Sequence, residues 1–160
     1  MKFARLGSVL LLVVVLVTGV AISCSPASGS TNTGDSISGS AAFEMIRQAA
    51  DDYLSSGKEL NTVTATSLYT NLTDGNTSND PFIISTRTPT LYRTGHICSA
   101  VNIPLRSLFL ETSWDLLPPK DTNVVLYSET GNEGSEAVSL LNMMGYNVTP
   151  LLWGFTSWYK

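Results

Sequence analysis

Histidine and cysteine are nearly absent: His96 is the single histidine, and Cys24 and Cys98 are the only cysteines in 160 residues. That scarcity excludes a zinc site built from Cys and His, and it excludes a disulfide framework. Charge is also sparse. Asp, Glu, Lys and Arg make up 14% of the chain, and nine bases against thirteen acids leave a net charge of −4. A nucleic-acid partner would need a basic face, and so few, outnumbered cations do not supply one. Neither a GxxxxGK(S/T) nor a GxGxxG loop occurs, so nucleotide binding by those cradles is excluded too. No cofactor is expected. What is abundant is apolar: 43% of the residues, in a length that suits one domain and hardly two. This composition is neither disordered nor collagen-like.

Lys2 and Arg5 give the chain a positive start, and the run from Val9 to Ile22 is almost wholly apolar. Its length as a helix, at ~1.5 Å per residue, is roughly 21 Å, short of the ~30 Å hydrocarbon core. A secretory signal fits that length better than a stable span. The run closes on Ala21-Ile22-Ser23-Cys24, which is similar to a bacterial lipobox, in which a cysteine after small residues is lipid-modified and becomes N-terminal. The expected layout is a signal peptide over residues 1–23, a lipidated Cys24 with a tether over residues 24–40, and a folded domain over residues 41–160. An uncleaved anchor is the alternative. Either way the bulk of the chain is expected on the extracytoplasmic side of a membrane, with that membrane as one partner. Loss of Lys2 and Arg5 with the signal changes the net charge from −4 to −6. Residues 25–40 are Ser, Gly and Thr with little to bury, and their random-coil reach is about 20–25 Å.

Beyond the tether, helix and strand patterns alternate. Phe43, Ile46, Ala50, Tyr53 and Leu54 recur at helical spacing and predict a helix over residues 41–56, stopped by Gly57. Short strands are expected at Thr62–Thr64, Phe82–Ser85, Ala100–Ile103, Asn123–Tyr127 and Val148–Leu152. Helices are expected at Ala65–Leu72, Pro89–Arg93, Leu105–Leu110, Glu133–Met144 and Phe155–Tyr159. In the longest of these, Ala137, Leu140, Leu141 and Met144 form the apolar face. Such alternation argues a parallel sheet covered on both faces, with function at the carboxyl ends of the strands. Those ends are Ser85-Thr86-Arg87, Asn102-Ile103-Pro104 and the loop after Tyr127.

At those ends the residues become familiar. Phe82-Ile-Ile-Ser-Thr-Arg-Thr-Pro-Thr-Leu-Tyr-Arg-Thr-Gly-His-Ile97 resembles the rhodanese-like pattern of strand, D-x-R, short helix and G-H-I. Ala100-Val-Asn-Ile-Pro-Leu105 resembles the family's A-x-N-I-P segment, and Leu152-Trp-Gly-Phe-Thr-Ser-Trp158 its closing G-x-x-x-W. The resemblance runs from about Thr62 to Trp158 in family order. It implies a rhodanese-like three-layer α/β/α fold on a short, mostly parallel five-stranded sheet, and sulfurtransferase chemistry in the members that are active.

The departures fall in the active loop. Active members carry C-x-x-G-x-R/K after the fourth strand, where the cysteine holds sulfur as a persulfide and loop N–H groups and the cation stabilise its charge. This sequence reads Ser128-Glu129-Thr130-Gly131-Asn132-Glu133. The glycine and the loop length are kept, while the nucleophile is Ser128 and the cation is Glu133. The aspartate of D-x-R is Ser85. The glutamate that usually partners Arg87 is Leu91, so Arg87 is expected to turn to Glu129, Glu133 or the loop backbone. A serine needs an adjacent general base to become a nucleophile; no histidine lies near Ser128 in sequence, and Glu129 and Glu133, as ordinary carboxylates, would be weak bases. The expected function is therefore a catalytically inactive binding or accessory module. Its rim would be Ser85, Arg87 and Asn102, and a protein or small molecule would bind at residues 128–133. The alternative is an active sulfurtransferase or sulfur carrier, for thiosulfate or persulfide, that uses Cys98 or an unrecognised mechanism. Glu129, Glu133 and Glu136 read as an acidic lip rather than a metal site, and His96 as a packing residue bonded to nearby backbone.

Overall fold

The computed structural model describes residues 37–158. Cys24, the apolar run before it and most of the expected tether lie outside the described residues. Four parallel strands form one sheet: β1 (Phe82–Ser85), β2 (Val101–Asn102), β3 (Asn123–Tyr127) and β4 (Asn147–Pro150), in the order β2-β1-β3-β4. The register sets Ser85 beside Asn102 on one side and beside Tyr127 on the other, which aligns the three carboxyl ends. The fifth expected strand is reduced to one parallel bridge, Val63 with Leu151. The segment is cut short because Thr64 accepts the N–H of Ser67 and caps the following helix.

Side-chain alternation divides the core into two layers. Ile84, Val124, Leu126 and Val148 point to one face and pack with Ile103, Leu108, Ala137, Val138 and Leu141. Ile83, Val125 and Tyr127 point to the other and pack with Leu68, Ile97, Ala100, Leu151 and Phe155. A strand buried on both faces reads as a continuous apolar run, which is why β1 and β3 were legible. The covering helices are α2 (Ala65–Leu72), α3 (Pro89–Thr94), α4 (Leu105–Leu108), α5 (Asn132–Met143) and α6 (Phe155–Trp158).

Several expected faces and boundaries change; β2, β4 and α4 are each shorter than expected. The inward face of α5 is Gly134, Ala137, Val138 and Leu141, whereas Leu140 and Met144 are exposed. The helix begins at Asn132, one turn-position earlier than its apolar residues suggest. An unexpected 3-10 stretch spans Glu111–Leu116. The first helix, α1 (Gly39–Ser55), begins two residues early because the Ser38 side chain accepts the N–H of Ala41. It rests against α5 and has no buried residue.

Candidate functional site

The loop after β3 turns back on itself around Ser128. This residue is 1% exposed, and its Oγ accepts the N–H groups of Gly131 at 3.0 Å and Gly134 at 3.1 Å. Both partners are backbone donors, so neither can take the hydroxyl proton. Gly131 is the N-cap of α5 and adopts φ +99°, a left-handed conformation that suits glycine, with its N–H donated to Oγ. Gly134 has no Cβ where one would come within 3.2 Å of that oxygen. The result is an amide cradle at a helix N-terminus, filled by a hydroxyl.

The cradle is clamped from outside by the chain's last turn. Phe155 N donates to Ser128 O at 2.9 Å and Thr156 N to Glu129 O at 3.1 Å. Gly154 sits between them at φ +59°, where a Cβ would lie 2.6 Å from both Gly131 N and Ser128 O. Only glycine fits that gap, which gives the glycine of the G-x-x-x-W segment a physical role.

Arg87 reaches the same loop from β1. Its Nε donates to Glu129 Oε2 at 2.6 Å, Nη1 donates to Gly95 O, and its guanidinium lies 3.9 Å from the centre of the Phe155 ring. The arginine side chain is 4% exposed and that of Glu129 43%. Asn102 holds the approach by donating to Ser85 O and Arg87 O at 3.0 and 2.9 Å. The expected rim is thus a floor: Ser85 and Arg87 are buried, and Asn102 is half-buried. Ser85 Oγ is wholly enclosed and makes no hydrogen bond of normal geometry. Beside it, burial pushes the Tyr127 phenol up, opposed by the Ser85 hydroxyl, the Ile97 N–H and the Arg87 charge.

Around the partners of Arg87 opens a cavity of about 460 Å³, lined by Thr94, Gly95, Glu129, Phe155 and Thr156; of residues 128–133 it includes Glu129. Glu133 and Glu136 are exposed on the first turns of α5. His96 lies outside this group, stacked on Tyr92 at 4.0 Å with Nδ1 3.1 Å from Tyr92 O. Cys98 is an exposed free thiol in the turn before β2. Sequence reasoning did not single out Tyr127 or Gly95, and it treated Phe155 only as part of a motif. Their roles depend on which surfaces the fold brings to Arg87.

The sequence model of the rhodanese-like domain family matches residues 64–160. The chain belongs to that family. It is 30% identical over 81 residues to the adenylyltransferase and sulfurtransferase uba4 of Ogataea parapolymorpha, a match covering 50% of this chain and 20% of that protein. It is 33% identical over 63 residues to thiosulfate sulfurtransferase PspE of Escherichia coli, covering 39% of this chain and 60% of the relative. The matched segments therefore span less than two thirds of either relative. A rhodanese-related protein from Thermoplasma volcanium superposes with a TM-score of 0.52 at 26% identity, over 61% of this chain and 89% of that one. The rhodanese-like frame is thus present around a loop whose first residue is Ser128.

Proposed function

We propose that this protein is a membrane-anchored, extracytoplasmic rhodanese-like domain that does not transfer sulfur and acts as a binding or accessory module. The observation that carries the reading is the filled cradle. The two amides that a persulfide would need are taken by the Ser128 hydroxyl, which is buried and has no base as a partner. Glu133 replaces the cation and stands in the first turn of α5, where a negative charge is favourable to the helix but repels an anionic sulfur donor. The loop is bonded to Arg87 and to the last described turn, and the cavity lies beside it. A protein or small molecule binding there would meet Glu129, the edge of Phe155 and two threonines, a lining suited to a neutral or cationic group. Cys24, lipid-modified, would hold the domain on the outer face of a membrane.

A second reading rests on the exposed Cys98 thiol, which could carry sulfur. Mass spectrometry after thiosulfate or polysulfide treatment separates the two. The first reading expects no stable sulfur adduct, and an adduct localised to Cys98 favours the second.

A further inference from the structure

The α1 helix has an apolar strip that the domain leaves uncovered. On it Phe43, Ile46 and Leu54 are 61–63% exposed. At ~100° per residue, Phe43, Ile46, Ala50 and Leu54 line up along one side of the helix. The opposite margin of the strip turns to α5: Tyr53 Oη lies 3.4 Å from Ser139 Oγ, and Ala49 and Tyr53 border a groove that Asn142 and Met143 complete. On the other flank Arg47 bridges Glu44 and Asp51 at 2.8 and 2.6 Å, a ladder on the helix's solvent side.

We propose that this strip docks in the headgroup–acyl boundary of an uncharged, zwitterionic membrane surface, the same membrane that holds Cys24. The inference rests on the anchoring reading above and adds a second contact to it. Three arguments select lipid as the occupant. Only residues 25–38 separate Cys24 from the first residue of α1, so α1 is the first described helix after the proposed anchor in the sequence. The strip is too small for a second copy by itself: its three exposed side chains, at on the order of 100 Å² each, give roughly 300 Å² per face, against ~800 Å² per partner in a stable interface. A bilayer demands no matching shape and accepts a few apolar side chains from a helix lying in its plane. The charges set the lipid class. Glu44, Asp51 and Asp52 outnumber Arg47 on α1, so an anionic surface would repel the helix.

The test uses the full chain carrying Cys98→Ser and one added cysteine, Phe43→Cys, Ile46→Cys or Leu54→Cys on the strip, and Gln48→Cys or Ser55→Cys off it. Each is labelled with an environment-sensitive fluorophore and reconstituted with phosphatidylcholine vesicles. The expected result is flotation with the vesicles, with blue-shifted emission and quenching by brominated lipid at 43, 46 and 54 but not at 48 or 55. Flotation with all five labels in water overturns the docking and leaves the anchor standing. Failure to float overturns both. A blue shift at the strip positions that grows with protein concentration and not with added lipid assigns the strip to a second copy and overturns the lipid.

Discussion

Arg87 and Glu129 are 42 residues apart in sequence and joined at 2.6 Å, the arginine buried and the glutamate half in solvent. In the family pattern the arginine's acid comes from the helix that follows it. Here that position is Leu91, 40% exposed, and the acid comes instead from the loop that replaces the active one. The exchange ties the loop to β1. The pairing offsets part of the charge of Glu129, whose side chain stays 43% exposed, and Glu133 is exposed in the first turn of α5.

Removing one partner should show the tie. Glu129→Ala leaves the guanidinium against Gly95 O and the Phe155 ring with no counter-charge. The cost is expected at about 2 kcal/mol, below the value for a fully buried pair because Glu129 is half exposed. Arg87→Ala should cost more, about 3 kcal/mol, since the ring contact and the Gly95 bond go as well. Adding Leu91→Glu to Glu129→Ala should restore part of the loss. Urea denaturation of the four proteins checks the order.

Gly154→Ala should be among the most damaging single changes. Its Cβ would meet Gly131 N and Ser128 O at 2.6 Å in a left-handed backbone, so the last turn must lift off the loop. A loss of about 2–3 kcal/mol is expected. Gly39→Ala, with nothing within 4 Å, should change stability by less than about 1 kcal/mol and serves as the reference. Thermal unfolding of both variants reads the contrast.

Tyr127 makes stability fall in alkali. Its folded pKa lies above the ordinary value of 10.0, chiefly through burial. The neutral phenol therefore contributes stability that is complete below about pH 10 and is lost as pH rises toward the folded value, because the unfolded chain releases the proton first. Tyr127→Phe should flatten that alkaline loss. At neutral pH it should cost about 1–2 kcal/mol, because the buried Ile97 N–H loses its acceptor at 3.2 Å. Unfolding free energies measured across the alkaline range decide it.

Export leaves a mark on mass. The mature protein is expected to begin at Cys24 and to partition into detergent, and Cys24→Ala should accumulate as a precursor with residues 1–23 attached. Intact-mass analysis of membrane fractions checks both. A soluble, unlipidated wild-type chain would contradict the anchor.

Legibility followed burial. β1 and β3 were readable because both faces are covered and the residues are apolar without a break. Val63 was read as a strand and makes one bridge, because the Thr64 cap starts α2 at once. The α5 face was misphased: Leu140 and Met144 are apolar and exposed, while Gly134, which carries no hydrophobic signal, lies inward against Ser128. The α1 helix was legible from its apolar spacing, while the exposure of its strip was not, since periodicity says which side is apolar and not what meets it. At the site, the loop and Arg87 were visible as departures from a motif. The choice of Glu129 over Glu133, the Phe155 ring over the guanidinium and the burial of Ser85 were not, because each depends on how the last turn folds back over the loop.

The most direct measurement is thiosulfate:cyanide sulfurtransferase turnover by the purified chain, alongside Cys98→Ala, Ser128→Cys, and Ser128→Cys combined with Glu133→Arg. The filled cradle and missing thiol predict no wild-type turnover above the protein-free rate. They predict weak activity for Ser128→Cys, whose thiolate gains the Gly131 and Gly134 amides but faces Glu133, and clearly higher activity for the double change. Wild-type turnover that survives Cys98→Ala would contradict the inactive reading.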